Sequence, residues 1–301
     1  MTPPAEGRVL RIAGGSYEVE LEDGVLECVL AGRLKQGRGD RIAVGDRVRV
    51  ERLEEGASRI TEILPRQSKL ARRSVEAERE QVIVANLDQL GAVFATERPE
   101  PDLAMLDRLL VVAELNGLDA FVVANKVDLA PAEGRFVPQR SAGYEVVATS
   151  ALEGTGLDRL RDRLRDRTTA LAGPSGAGKT SLLNAMLPHV ERRVGDVSDR
   201  AGRGRHTTVN ATLLPLPGGG YVADTPGLQF LELWELSPDQ LAAAFPEFRP
   251  LLGTCRFNDC RHVEEPGCAI REALERGDVY ERRYRSYRAL LEEAEERSRP
   301  W

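Results

Sequence analysis

Cysteine is scarce in this chain, as is lysine among its basic residues. Four cysteines in 301 residues are too few for a disulfide scaffold, and three of them crowd between Cys255 and Cys268. No stretch approaches the ~18 consecutive apolar residues of a membrane span. The opening Met1-Thr-Pro-Pro-Ala-Glu-Gly lacks the basic head and apolar body of a signal peptide. The expectation is a cytoplasmic protein with no membrane partner. Net positive charge is missing too: 48 acidic residues face 42 basic ones, giving −6. That excludes wholesale charge-driven binding of nucleic acid and leaves local basic patches as the electrostatic route to RNA or DNA. Only four of the basic residues are lysine: Lys35, Lys69, Lys126 and Lys179. Glycine and proline stand at ordinary levels, which excludes a low-complexity chain.

What is present falls into three regions. From Arg8 to Leu64, short strand-like runs are broken by Gly14-Gly15, Asp23-Gly24 and a loop rich in glycine and charge. Five short strands in that space predict a small barrel of the oligonucleotide-binding type over residues 1–66. Pro65-Arg-Gln-Ser68 reads as its exit linker. Over 67–236, apolar runs such as Leu90–Ala95 and Ala120–Ala124 alternate with helical spacing at Asp102–Leu115 and Leu157–Leu164. This alternation predicts a mostly parallel sheet covered by helices, hence an α/β domain. Residues 237–301 read as helix, cysteine-bearing loop, helix. The fold class expected is multidomain α/β: barrel, P-loop α/β domain, helical zinc-binding domain.

The middle region carries four motifs, each at the end of a strand. Gly173, Pro174, Ser175, Gly176, Ala177, Gly178, Lys179 and Thr180 fit G-x-x-x-x-G-K-[ST], with Ser181 continuing into a helix. Backbone N–H groups close round phosphate oxygens only where side chains are absent, and a helix N-terminus adds positive potential. Lys179 would reach the β- and γ-phosphates, and the Thr180 hydroxyl would ligate Mg²⁺. Asn125-Lys126-Val-Asp128 offers a carboxylate to the guanine N1–H and 2-amino group, which adenine cannot satisfy. Asn125 can meet the base edge and Lys126 can lie along the ring. Thr149-Ser150-Ala151 follows the next strand and resembles the backbone support for guanine O6. Asp224-Thr-Pro-Gly227 would hold Mg²⁺ through Asp224 and meet the γ-phosphate with the Gly227 N–H. For each motif alone, a glycine turn or a plain strand exit is the competing explanation.

These motifs resemble those of translation-factor-type GTPases in the wrong order, with N-K-V-D and T-S-A preceding the phosphate loop and D-T-P-G. That order is a circular permutation. With the flanking barrel and a C-terminal cysteine–histidine cluster, the whole chain resembles the bacterial ribosome small subunit-dependent GTPase A family. The resemblance implies a GTP hydrolase stimulated by the small ribosomal subunit. It would act late in that subunit's assembly, bind ribosomal RNA in its GTP form and leave on hydrolysis, as a monomer. Gly202-Arg-Gly-Arg-His206-Thr207-Thr208 stands at the position of switch I, where Thr207 or Thr208 can supply the hydroxyl that senses Mg²⁺ and the γ-phosphate. The resemblance favours Thr208 and implies Mg²⁺ with the GTP, held by Thr180, Thr208 and Asp224. Leu228 stands where Ras-like enzymes carry a water-orienting Gln, and the resemblance implies His206 as the substitute; the alternative for His206 is a loop histidine that helps contact RNA. Two other functions stay open. One is a P-loop ATPase or kinase with an accidental N-K-V-D; the other is a non-enzymatic or weakly hydrolysing GTP-regulated RNA-binding scaffold.

Cys255, Cys260, His262 and Cys268 offer three thiolates and an imidazole within fourteen residues, the donor set of a closed structural Zn²⁺ site, one ion per chain. Free buried thiols beside a surface histidine are the alternative, and the family's Glu265-Pro-Gly-Cys268 pattern supports zinc. Cys28 reads as core packing. Three basic clusters are candidate RNA contacts: Arg33 to Arg49 on the barrel, Arg192 to Arg205 around switch I, and Arg282, Arg283, Arg285 and Arg288 among Tyr280, Tyr284 and Tyr287. The short join from Gly227 through Trp234 further predicts that the zinc module is placed differently in GTP and GDP states.

Overall fold

A computed structural model of the chain describes residues 4–32, 34, 41–53, 58–73, 80–187, 211–224 and 238–298. The strands of its N-terminal part are β1 (Ala5–Ala13), β2 (Ser16–Leu21), β3 (Gly24–Leu30), β4 (Arg47–Glu51), β5 (Ser58–Ile63), β6 (Lys69–Arg73) and β7 (Glu80–Ala85). Then come β8 (Gln89–Ala95), β9 (Asp119–Asn125), β10 (Glu145–Thr149), β11 (Thr168–Ala172), β12 (Thr212–Pro215) and β13 (Tyr221–Asp224). The helices are α1 (Leu103–Leu115), α2 (Val137–Ser141), α3 (Leu157–Leu164), α4 (Lys179–Met186), α5 (Pro238–Leu241), α6 (Ala269–Arg276) and α7 (Glu281–Ser298). Two compact units result. The first comprises Met1–Leu90, Arg159–Leu171 and Leu183–Glu232; the second comprises Gly91–Asp158, Ala172–Leu182 and Leu233–Trp301.

In the first unit, β1 to β5 close into a barrel. Antiparallel pairs join β1 to β2, β2 to β3, β4 to β5 and β1 to β4, and a parallel pair joins β3 to β5. Closure leaves the barrel without a free edge. Alternation along β2 and β4 sends Tyr17, Val19, Leu21, Val48 and Val50 inward, where they meet Val9, Ile60 and the fully buried Cys28. Gly7 pairs with Val48 of β4, one residue before the β1–β2 register begins at Arg8. A Cβ there would stand 2.5 Å from Leu21 Cδ2 and 2.7 Å from the Glu20 carbonyl oxygen, so only glycine fits without displacing the sheet.

The exit linker read in the sequence is clamped rather than loose. Arg66 donates from Nε and Nη2 to the fully buried Asp46 carboxylate at 2.7 and 2.8 Å, and Gln67 N–H donates to Asn86 Oδ1 at 2.9 Å. Two strands were not foreseen: β6, which pairs with β7, and β12, which pairs with both β1 and β13. β13 in turn runs parallel to β11. Compactness therefore groups the barrel with β11, β12 and β13.

The second unit orders its strands β10-β9-β8, with β9 and β10 parallel. β8 is buried at every position and β9 at all but its first, the near-continuous burial of a sheet covered on both faces. Asp102 caps α1, its carboxylate accepting the Ala104 and Met105 N–H groups at 3.0 Å. The apolar face of α1 contains one charge, Asp107, which is fully buried.

Asp107 anchors the C-terminal helices. Arg283 of α7 is 1% exposed and donates to Asp107 Oδ1 at 2.8 Å and to Glu247 at 2.7 and 3.1 Å. Ser286 donates to Asp107 Oδ2 at 2.6 Å and Gln139 of α2 to Oδ1 at 2.8 Å. The Arg283 guanidinium also lies 4.7 Å from the Phe245 ring centroid. Buried charge is tolerated here because each carboxylate and the guanidinium are paired and hydrogen-bonded. This takes Arg283, Tyr284 and Tyr287 out of the candidate RNA contacts of the last helix. Arg283, Tyr284, Tyr287, Leu290, Leu291 and Ala294 form its buried stripe, which leaves Arg285 and Arg288 as the exposed arginines of that cluster. On the barrel, Arg47 and Arg49 face outward and pair with Glu6 and Glu62 at 3.1 and 3.2 Å. Arg33, Lys35, Arg38 and the switch I arginines lie outside the described residues.

Candidate nucleotide site and metal centre

β11, buried throughout, delivers the chain to the glycine loop, and α4 begins at Lys179. Two glycines are fixed by what faces them. A Cβ on Gly173 (φ +149°) would stand 2.1 Å from the Val93 carbonyl oxygen, and one on Gly178 (φ +92°) would stand 2.2 Å from Asn125 Nδ2. The Lys179 ammonium donates to the Gly173 and Pro174 carbonyls at 2.7 and 2.9 Å, across the loop that it would serve. Ser175, Gly176, Thr180 and Ser181 are exposed, and Ala177 is buried.

The base motif is joined directly to that loop. Asn125 is 1% exposed; its Nδ2 donates to the Ala177 carbonyl at 2.9 Å, and its Oδ1 accepts from Thr149 Oγ1 at 3.2 Å and Ala151 N–H at 3.4 Å. Its side chain thus braces three motifs while keeping one amide N–H for a ligand. Ser150, fully buried, donates to Asp128 Oδ1 at 2.5 Å and accepts the Glu153 N–H at 3.1 Å. That leaves the second oxygen of a half-buried carboxylate for a ligand. Lys126 has φ +65°, and its ammonium donates to the Arg98 carbonyl.

The second unit thus brings together Asn125, Lys126, Asp128, Thr149, Ser150, Ala151 and the whole run from Gly173 to Ser181. Asp224 ends β13 in the first unit, paired with Thr212. His206, Thr207, Thr208, Gly227 and Leu228 lie outside the described residues. Sequence reasoning missed Thr96, which is fully buried. Its N–H donates to the Asn125 carbonyl and its hydroxyl to the Lys126 carbonyl, both at 2.8 Å, holding the strand exit in its left-handed turn. It also missed Gly156, whose Cβ would stand 2.0 Å from the Ala148 carbonyl oxygen. Neither belongs to a motif.

In the C-terminal part, the donor atoms of Cys255, Cys260, His262 and Cys268 all lie within 4.8 Å of one another. Tetrahedral zinc, with Zn–S of ~2.3 Å and Zn–N of ~2.0–2.1 Å, requires an S···N edge of about 3.5 Å. His262 Nδ1 stands 3.5 Å from both Cys255 Sγ and Cys268 Sγ. The donor set therefore fits a metal ion of that kind. The loop is shaped from behind. Glu265 accepts the N–H groups of Arg261, Val263 and Glu264 at 2.7, 2.8 and 3.1 Å. Against the cost of its desolvation, these bonds draw its carboxyl down to about 2. Tyr284 donates to the His262 carbonyl at 2.7 Å and Tyr287 to that of Arg261 at 2.8 Å, tying the loop to α7. Burial pushes the Cys260 thiol up to about 12 and the His262 imidazole down. Neutral imidazole is the ligating form, and a bound cation would reverse the thiol's preference.

Fold and site define a circularly permuted P-loop GTPase: base motif first, phosphate loop second, and a barrel and a Cys₃His module at the two ends. The chain belongs to the RsgA GTPase family, whose model matches residues 63–234. It is 50% identical over 307 residues to the small ribosomal subunit biogenesis GTPase RsgA of Gemmatimonas aurantiaca, covering 99% of this chain and 100% of the relative. The protein of that name from Moorella thermoacetica is 42% identical, covering 98% and 99%. Among solved structures, YjeQ from Thermotoga maritima superposes with a TM-score of 0.80 at 34% identity, covering 99% and 100%. YloQ, described as a circularly permuted GTPase, superposes with a TM-score of 0.76 at 28% identity, covering 100% and 98%. Among the described residues no helix is long and apolar enough to cross a membrane.

Proposed function

We propose that this chain hydrolyses GTP in the late maturation of the small ribosomal subunit, binding that subunit's RNA in the GTP form and leaving on hydrolysis. The observation that carries the reading is the bond from Asn125 to the Ala177 carbonyl, beside Asp128 held by Ser150. A guanine reader and a phosphate loop braced to each other bind the two ends of one nucleotide. Asp128 selects guanine, Lys126 lies along the base, and the N–H groups of Gly173 to Ser181 with Lys179 hold the phosphates. Thr180, Thr208 and Asp224 would hold Mg²⁺, which neutralises charge building on the phosphates. The Gly227 N–H meets the γ-phosphate. With Leu228 unable to polarise water, His206 orients the attacking water.

Zn²⁺, one per chain, is structural: four protein donors leave no open position. The working domains are 1–66, 67–236 and 237–301, and the protein acts as a cytoplasmic monomer. The names of its relatives support the ribosomal role. The test is GTP turnover with and without purified small subunits. Stimulation by the subunit that is lost in Lys179→Ala supports the reading, and an unchanged rate on adding subunits refutes it.

A further inference from the structure

The chain leaving β8, residues 96–100, runs between the base motif and the phosphate loop. Thr96 fixes its start against Asn125 and Lys126. Two residues on, the Arg98 carbonyl accepts the Lys126 ammonium. Pro99 then lies against the phosphate loop, where a Cβ on Gly176 would stand 3.5 Å from its Cδ. Arg98 is therefore held at the base motif on one side and at the middle of the glycine loop on the other. Its backbone has φ +52°, a region that side-chain-bearing residues seldom adopt and that glycine fills by default.

A glycine would suit this backbone better, yet the position carries an arginine. Its side chain is 79% exposed, and its guanidinium meets Glu97 Oε1 at 3.7 Å, a surface contact of little worth. The cations that the motifs name, Lys126 and Lys179, serve the base and the far phosphates. No motif names a cation for the stretch between them, where the ribose and the first phosphates of a nucleotide lie.

We propose that Arg98 is a nucleotide-binding residue whose guanidinium contacts the α- and β-phosphates of the bound guanine nucleotide. The planar fork matches phosphate oxygens better than an ammonium does, and the anion replaces the loose partner Glu97. The proposal rests on the guanine-nucleotide reading of the site.

The test is equilibrium binding of GDP to the full chain and to Arg98→Lys, Arg98→Gly and Arg98→Glu at low and high salt, with thermal melts alongside. A phosphate contact predicts the affinity order Arg, Lys, Gly, Glu. Arg98→Gly should weaken GDP by about three- to tenfold, Arg98→Glu by more, and both losses should shrink as salt rises. Glycine removes the cation while relieving the backbone, so a variant that binds as tightly as the parent, or more tightly, overturns the proposal in favour of a purely structural position. Equal affinity across all four proteins overturns it as well. A parent that binds no GDP would instead refute the guanine reading on which the proposal stands.

Discussion

Replacing Arg283 by methionine keeps the aliphatic stem and removes the one cation that bridges two buried carboxylates. Asp107 would retain Gln139 and Ser286 as donors, but Glu247, which is almost fully buried in the second unit, would lose both of its bonds to Arg283. Removing one partner of such a pair costs ~3–5 kcal/mol, because a charge is left in low dielectric without compensation. The guanidinium face against Phe245 is lost as well. At ~2–4 °C per kcal/mol, the transition of the second unit should fall by about 10 °C. Two compact units make a single stability value ill-defined, so the assay is a double-mutant cycle. Arg283→Met, Glu247→Gln and the pair are compared by urea unfolding followed by circular dichroism, with zinc content measured on each sample. The pair should recover at least ~1 kcal/mol over Arg283→Met alone. A change below ~1 kcal/mol for Arg283→Met, or strict additivity in the cycle, refutes the argument. The same bonds bear on the expected displacement of the zinc module: any movement that leaves α1 behind must break them, so a nucleotide-driven shift should carry α1 along.

Gly178→Ala forces a Cβ onto Asn125 and should abolish measurable GTP binding while leaving the fold intact; an alanine variant that binds GTP normally would show that the brace is dispensable. Glu293 is held below the usual carboxylate range by the Arg108 guanidinium, with desolvation opposing. A depressed carboxyl stabilises the fold above its unfolded value of ~4.3, and the gain fades as pH falls through the folded value. Glu293→Gln should therefore lower the melting temperature at pH 7 and match the parent in strong acid; an equal gap at both ends of the range would contradict this. Purified protein should hold about one zinc per chain, and Cys260→Ser or prolonged chelation should release it and loosen the loop between Thr254 and Cys268, read by hydrogen exchange. Metal-free protein with that loop fully protected would exclude the metal centre.

Most strands were legible because their burial follows simple periods: two in the barrel, continuous in β8 and β9. β6 was missed because Lys69-Leu-Ala-Arg-Arg73 is charged and looks like linker, and β12 because four residues carry too little pattern. The last helix misled in an instructive way. Its arginines and tyrosines interleave like an RNA-binding surface, but positions 283, 284, 287, 290, 291 and 294 fall on one face at helical spacing. A second signal was available in Asp107, which stands three and four residues before Leu110 and Val111 on the apolar face of α1 and so calls for a buried partner. The site motifs were readable as spacings. The hydrogen bonds that make them one site were not: Thr96 belongs to no motif, and the motifs that hold Ser150 and Ala177 do not say which partners the fold brings to them.

Asp128→Asn tests the guanine reader most directly. The amide presents a donor to the guanine N1–H and 2-amino group, leaving unpaired polar groups at the base edge, while the 2-oxo group of xanthine accepts from it. Binding of GTP and XTP to parent and variant should invert: GTP weakened by on the order of 100-fold or more, XTP strengthened, and the fold unchanged by circular dichroism. A variant that binds GTP as tightly as the parent, with no gain for XTP, would contradict the site described here.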